Sequence, residues 1–354
     1  MPTLGGGGAE RVAVNLLHAT PMIDWEAAVW RGGGVFQDDL PPDIPLHVLG
    51  GRRLRWAGAR LRKLLEARRP DVLVSSQWQA GILAARAAPR GLPWISWEHS
   101  GDVPERPWLL RRYLVRLYNH RASGVVCVSD QLCDQLADAG VKRGRLLRIY
   151  NPVVTPQLLD AGGCSLPEHP WFANGPVLLA VGRLVPQKGY DVLLKAMAII
   201  RSARPEAKLV VLGEGPLRGE LMTMADRSGL SGCVQFMGFQ RNPYPFIANS
   251  SAFVMASRRE GLPTVLIEAL ACGTPIVSTD CPTGPREILQ GGECGLLVAP
   301  EDPQGLADAV LRVLSDPRLR QQLIEAGRRR ARDFSVERAA AFVHVIEEAV
   351  RDGR

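Results

Sequence analysis

Short Val- and Leu-rich runs alternate with helix-length segments along nearly the whole chain, and the alternation lapses once. The apolar runs are Val72–Ser75, Trp94–Trp97, Val125–Ser129, Val177–Val181, Leu209–Leu212, Ala252–Ala256, Pro275–Ser278 and Gly295–Val298. Between them lie Gln79–Ala88, Gln131–Ala139, Lys188–Arg204, Leu217–Ser228 and Pro263–Cys272, which read as helices. Strands that are apolar at successive positions are buried on both faces, as in a parallel sheet covered by crossover helices. The lapse falls between Tyr150 and Pro176, where Asn151-Pro152, Thr155-Pro156, Gly162-Gly163 and Pro167–Pro170 oppose regular structure. A single core stops growing near ~250–300 residues, so a chain of 354 broken there reads as two doubly wound α/β domains. The expected boundaries are 1–152, a linker at 153–175, and 176–334. A final helix over 335–354 opens at Ser335 as N-cap and can cross back to the first domain. It has no capping box, because Arg338 stands where Glu or Gln would.

The formal net charge of +7 is unevenly placed. Residues 1–150 hold 21 Lys and Arg against 14 Asp and Glu, whereas the remainder holds 22 of each. Two stretches concentrate the excess. Gly51–Pro70 carries Arg52, Arg53, Arg55, Arg60, Arg62, Lys63, Arg68 and Arg69, with Leu54, Leu61, Leu64 and Leu65 at helical spacing. Arg106–Arg121 sets Leu110, Tyr113, Leu114 and Leu117 on one face, with Arg111, Arg112 and Arg116 off it. Solvated helix faces explain these charges; so does a surface for anionic lipid head groups or a polyanionic acceptor. Nucleic acid is a poorer match, since no base-reading or zinc motif accompanies the charge. No apolar run approaches the ~18 residues of a membrane span. Seven cysteines without a C-x-x-C pair, and an opening without a cationic-then-apolar leader, lead us to expect reduced thiols in the cytoplasm. Cys127, in an apolar run, is expected in the core.

The opening is odd. Met1–Leu4 runs straight into Gly5-Gly6-Gly7-Gly8-Ala9-Glu10-Arg11 and a helix-like segment. A Gly-rich turn into a helix normally follows a strand, and four residues fall short of the usual ~5–6. The first strand of the N-terminal domain is therefore expected to be missing, with an upstream start and a fraying terminus. Neither G-x-G-x-x-G nor the Lys of a P-loop fits these glycines. What they offer is a plain tight turn, or amides that a phosphate or sugar can approach closely.

Three loops in the second half are better placed for chemistry, since ligands bind at the carboxyl ends of such strands. Gly182-Arg183-Leu184-Val185-Pro186-Gln187-Lys188-Gly189 puts two cations between a strand and a helix. Arg and Lys there suit a diphosphate, or are merely solvated. Arg258-Arg259-Glu260-Gly261-Leu262-Pro263-Thr264 leads into a helix bracketed by Pro263 at its first position and Gly273 just past its end. Glu260 and Glu268 stand at E-x7-E spacing, with Glu268 ~8 Å along the axis from the helix start. Between them lie the free amides and positive end of that helix. A nucleotide sugar has matching parts, with hydroxyls at either end and a diphosphate between. Thr279–Ile288 adds a third loop stiffened by Pro282, Gly284 and Pro285. In the first half, His99 ends an apolar run, a place where clefts form, although a lone His is often structural. No D-x-D, ligand-spaced cluster, G-x-S-x-G or H-E-x-x-H occurs, so no metal is expected.

These segments together resemble the GT-B fold retaining glycosyltransferases of family 4. The matching pieces are Gly7-Gly8-Ala9-Glu10-Arg11, Glu98-His99, Val126-Cys127-Val128-Ser129, Asn151-Pro152, Gly182-Arg183 with Lys188-Gly189, Glu260-Gly261-Leu262-Pro263 through Glu268-Ala269, Gly273-Thr274-Pro275 and Gly284-Pro285-Arg286-Glu287-Ile288. They keep the family's order over nearly the whole chain. The resemblance implies two Rossmann-like domains facing across a cleft, the first binding the acceptor and the second the nucleotide sugar. It implies that Arg183 and Lys188 hold the donor diphosphate, Glu268 the ribose hydroxyls and Glu260 the sugar hydroxyls. Gly261, Leu262, Pro263 and Thr264 would help hold sugar and phosphate, and Met237, Gly238 and Phe239 would meet the base. His99 would contact the donor sugar, and Gly7 and Gly8 would let the donor approach the first domain. His99, Arg183, Lys188 and Glu260 form the implied catalytic set. The implied reaction moves a hexose or N-acetylhexosamine from a UDP-sugar to a glycan or lipid-linked glycan with retention, without metal or cofactor. Its setting would be the inner face of the cytoplasmic membrane, in polysaccharide or lipopolysaccharide synthesis. A non-catalytic nucleotide-sugar-binding protein, or a transferase to a small acceptor, would need the same donor site.

Overall fold

Every strand pair among the described residues is parallel. The computed structural model describes residues 1–50, 54–99, 107–160, 169–173 and 175–352. Arg52, Arg53, Ser100, Gly101, Arg106, Gly162, Gly163, Cys164 and Pro167 lie outside the described residues, as do the side chains of Leu54 and Arg55. The chain divides into two compact units, Met1–Val153 with the segment from Ser335 on, and Val154–Phe334.

The second unit holds β7 (Val177–Val181), β8 (Lys208–Leu212), β9 (Val234–Gly238), β10 (Ala252–Met255), β11 (Ile276–Thr279) and β12 (Leu296–Val298), in the order β12-β11-β10-β7-β8-β9. The chain winds outward from β7 to one edge, returns to β10 beside β7, and winds outward to the other edge. Strand direction out of the centre therefore reverses between β7 and β10, the switch point at which doubly wound sheets bind ligands. Helices Tyr190–Ala203 and Pro303–Ser315 pack together over one core, contributing Leu193, Met197, Ile200, Leu306 and Val310. β9 escapes the sequence reading because it is an edge strand with Gln235 exposed, so no continuous apolar run marks it.

In the first unit, β3 (Leu73–Ser76), β4 (Trp94–Glu98), β5 (Gly124–Cys127) and β6 (Leu146–Arg148) form one sheet. β1 (Ala27–Val29) and β2 (Leu46–Val48) form a second. β1, β2 and β6 are three residues each, too short for a periodicity to show. Cys127 is fully buried. No strand among the described residues precedes helix Gly8–Ala19. The terminus is nevertheless paired and packed. The Met1 amine donates to Ala28 O at 2.9 Å, Trp30 N donates to Met1 O and Phe36 N to Leu4 O, while Leu4 is buried with Val14, Val29 and Phe36.

Several boundaries move. Val154 onward belongs to the second unit, so the segment expected to be a linker carries helix Pro156–Asp160 with Leu158 fully buried. Ser335 makes no side-chain cap; the turn Val336–Arg338 precedes the helix proper, Ala339–Asp352. A hydrogen bond from Ser335 instead holds the Glu337 carboxyl below its ordinary range. That helix packs on β4, with the Phe342 and Trp97 rings 4.8 Å apart. The basic stretches form helices Leu54–Arg68 and Trp108–His120. Arg60 and Arg62 are not simply solvated, since they donate to Leu49 O and Arg86 O at 2.5 and 2.7 Å. On the second helix Leu114 and Tyr118 are buried, Leu110 and Leu117 half-buried, and Trp108 and Leu109 exposed at its start.

Candidate active site

The loop after β7 is the first wall of the site. β7 delivers Gly182 and Arg183 at the carboxyl edge of the sheet, where Gly182 N donates to Leu212 O at 2.9 Å. A single turn, Pro186–Lys188, then raises Lys188 before helix Tyr190–Ala203 begins. Gly189 between them has φ 62°, and a Cβ there would lie 2.0 Å from Ala256 O. Only glycine permits that conformation and that approach together, so Gly189 lets the β7 loop touch the β10 loop.

The result is a partly buried ion pair. Lys188 Nζ lies 2.6 Å from Glu260 Oε1, with the side chains 18% and 7% exposed. Ser257, fully buried, donates to the same oxygen at 2.6 Å, and Thr283 Oγ1 donates to Glu260 O. Both side-chain bonds fall on Oε1, which leaves Oε2 free to accept from a ligand hydroxyl. Burial, and after it the charge of Glu260, raises the Tyr190 hydroxyl and the Cys281 thiol above their ordinary values, the latter to about 12. Thr279 Oγ1 donates to Ser257 O at 2.6 Å, and a Cβ on Gly284 would lie 2.4 Å from Gly261 O. The loops after β7, β10 and β11 are thus one packed unit.

Arg258 is the fastener that the sequence reading passed over. It donates to both Asp191 oxygens at 2.9 and 2.8 Å, to Pro186 O at 2.6 Å, and to Glu301. Its own amide donates to Gln187 O at 2.8 Å. Those bonds hold the Asp191 carboxyl below its ordinary range and pin the Lys188 turn. Arg183, by contrast, is exposed and makes no ion pair among the described residues.

Helix Thr264–Cys272 starts one residue later than expected, with Pro263 as N-cap and Gly273 left-handed at φ 73° as C-cap. Pro263 supplies no side-chain cap, so the first amides depend on other acceptors. Glu268 is 8% exposed on this almost wholly apolar helix. Met237 and Gly238 end β9, Gln240 donates to Met237 O at 3.1 Å, and Phe239 is 40% exposed.

The remaining residues belong to the first unit. His99 follows β4, and its Nε2 lies 3.1 Å from Ser76 Oγ at the end of β3. Nδ1 is buried with no hydrogen-bond partner, and burial lowers the imidazole pKa from 6.5 to about 3, so the ring is neutral. Glu98 is structural: Ser96 and Tyr118 donate to its Oε1 at 2.7 and 2.8 Å. Gly7 is the N-cap of helix Gly8–Ala19, again without a side-chain cap.

Comparison with known proteins gives the family of the chain. The family model for glycosyl transferases group 1 covers residues 166–330, and that for glycosyltransferase family 4 covers residues 6–156. The lipopolysaccharide core biosynthesis glycosyltransferase LpsE of Rhizobium meliloti is 31% identical over 91% of this chain and 89% of its own. An α-1,4-N-acetyl-D-galactosaminyltransferase of Campylobacter jejuni, acting on a diphospho-undecaprenol-linked glycan, is 28% identical over 98% and 94%. HepE of Anabaena, solved with UDP and glucose, superposes with a TM-score of 0.82 at 21% identity over 98% of both chains, which shows the two-domain Rossmann-like fold. The chain belongs to the group 1, family 4 glycosyltransferases.

Proposed function

We propose that the protein is a metal-independent, retaining glycosyltransferase that moves a hexose or N-acetylhexosamine from a UDP-sugar to a glycan or lipid-linked glycan at the inner membrane face. The observation that carries this reading is the Lys188–Glu260 pair, partly buried at the β7/β10 switch point. A cation held there by a neighbouring carboxylate is fixed before the donor arrives. It can stabilise the diphosphate as the glycosidic bond breaks, together with Arg183 and the positive end of helix Thr264–Cys272. Glu260 Oε2 accepts from sugar hydroxyls and Glu268 from the ribose. His99, neutral, offers Nδ1 as a hydrogen-bonding group to the donor sugar. No residue is assigned as covalent nucleophile; the leaving phosphate takes the acceptor proton on the same face.

HepE complexes with UDP and with UDP-glucose favour uridine as base. The named acceptor of the Campylobacter relative favours a lipid-linked glycan, and the name of LpsE favours lipopolysaccharide synthesis. Trp108 and Leu109, 58% and 65% exposed beside Arg111 and Arg112, suit a membrane interface with anionic head groups. No helix among the described residues is long and apolar enough to cross a membrane.

The test is hydrolysis of a panel of UDP-, GDP- and ADP-sugars by the purified chain, with anomer-resolved detection of the sugar and a parallel run in EDTA. One UDP-sugar cleaved with retention and undiminished in EDTA is expected. Binding without turnover of any donor would make the protein a nucleotide-sugar-binding module instead.

A further inference from the structure

Lys188 ends a single turn, Pro186–Lys188, and is followed by left-handed Gly189. A turn that short has little cohesion of its own, and a lysine stem is flexible. Glu260 meets the ammonium but not the backbone that carries it. That backbone is held by Arg258, two residues ahead of Glu260 in the chain. Pro186 O accepts from Arg258 Nη1 at 2.6 Å, and Gln187 O from the Arg258 amide at 2.8 Å. The Gln187 side chain returns the contact, donating to Arg259 O at 2.8 Å. Three residues beyond Lys188, Asp191 accepts from Nη1 and Nη2 at 2.9 and 2.8 Å, a bidentate pair. One guanidinium thus brackets Lys188 on both sides along the chain.

Glu301, in the turn after β12, meets the same group from the far side, accepting from Nη2 at 3.1 Å. Its backbone has φ 60°, a left-handed conformation that a residue with a side chain adopts at a cost. The side chains of Arg258, Asp191 and Glu301 are 30%, 39% and 56% exposed. Ion pairs so open to water contribute little to stability. The clasp is therefore wide in geometry and small in folding energy, which suits the placing of a group better than the holding of a fold.

We infer that Arg258 is a positioning residue for the transfer reaction: through Pro186, Gln187 and Asp191 it fixes the turn from which Lys188 meets the donor diphosphate. This rests on the role proposed above for Lys188. In this arrangement Arg258 need not touch the donor. What the reaction takes from it is the planar fork, not the charge, since a lysine ammonium is a point charge on a flexible stem and cannot bridge Asp191 and Pro186 O in the same way.

The experiment measures kcat with the productive donor for wild type, Arg258→Met, Arg258→Lys, Lys188→Ala, and Lys188→Ala combined with Arg258→Met. Both single Arg258 variants should lose at least about tenfold in kcat, with Tm within about 4 °C of wild type. In the Lys188→Ala background, Arg258→Met should change kcat by less than about twofold, because the group it positions is gone. Hydrogen exchange gives a readout independent of turnover: the Lys188 and Gly189 amides should exchange at least about tenfold faster in both Arg258 variants, with β7 unchanged. Wild-type kcat in Arg258→Lys would overturn the inference, since charge alone would then suffice. So would an undiminished loss in the Lys188→Ala background, which would make Arg258 act apart from Lys188, or unchanged exchange at Lys188 and Gly189. Wild-type turnover by Lys188→Ala itself would instead overturn the role of Lys188, and this inference with it.

Discussion

The two units share one strand-helix logic but close their sheets differently. In the second, six strands run without interruption and the loops beyond β7, β10 and β11 are fastened by Arg258, Gly189, Thr283 and the Lys188–Glu260 pair. In the first, β1-β2 and β3–β6 stand apart, and the residue of interest, His99, is held by Ser76 and the Trp97 ring 4.5 Å away. The contrast lies in how each unit holds its polar groups: in the second a partly buried ion pair joins two loops, and in the first one neutral ring rests on a hydroxyl and an aromatic neighbour.

The sharpest break of that comparison is Lys188→Ala. If the second unit is preorganised for a departing diphosphate, kcat should fall by about 10²–10³, more than kcat/KM changes for any substitution of the first unit's basic helices. Because Glu260 then loses its partner, Lys188→Met with Glu260→Gln should fold with wild-type stability and still be slow. Wild-type turnover in either variant would make the cation structural.

Glu268→Ala comes next. Losing a charged hydrogen-bond pair to a sugar ring costs ~1.5–3 kcal/mol, so donor KM should rise about 10- to 100-fold with kcat little changed. A folded variant with unchanged KM would remove Glu268 from the donor site.

The reach of the sequence differs between the units for physical reasons. β7 is a five-residue apolar run, visible with its bounds, and the loops around Lys188 and Glu260 stand out because Gly, Pro and charge cluster at strand ends. Arg258 was unreadable as a fastener, since Asp191 and Glu301 lie far from it along the chain and nothing local links them. The short edges β1, β2 and β6 carry too few buried positions to display a period. The pairing of Met1 with Ala28 and Trp30 is long-range, which composition does not encode.

A smaller effect probes the first unit. The folded His99 pKa is about 3 against 6.5 unfolded, so below pH 6.5 the unfolded chain takes up a proton that the folded chain refuses. Stability attributable to this ring is therefore whole above pH 6.5 and declines by about 1.4 kcal/mol per pH unit down to about pH 3. Urea unfolding at pH 7 and pH 5 should show wild type losing about 2 kcal/mol more than His99→Gln. Equal losses would mean that the ring is solvated.

The smallest effect concerns the membrane. Liposomes with anionic lipid should bind the protein reversibly and release it in salt, each nearby Lys or Arg contributing ~1 kcal/mol. Trp108→Ser with Leu109→Ser should weaken binding several-fold while donor hydrolysis persists. Equal pelleting with neutral vesicles would exclude an electrostatic surface.

The central claim is that the second unit grips a diphosphate through Lys188. Calorimetric titration of the nucleoside diphosphate released by the productive donor, and of its parent nucleoside, into wild type and Lys188→Ala addresses it directly. The account predicts at least about tenfold weaker diphosphate binding by the variant and no change for the nucleoside. Equal loss for both ligands, or none for either, would contradict it.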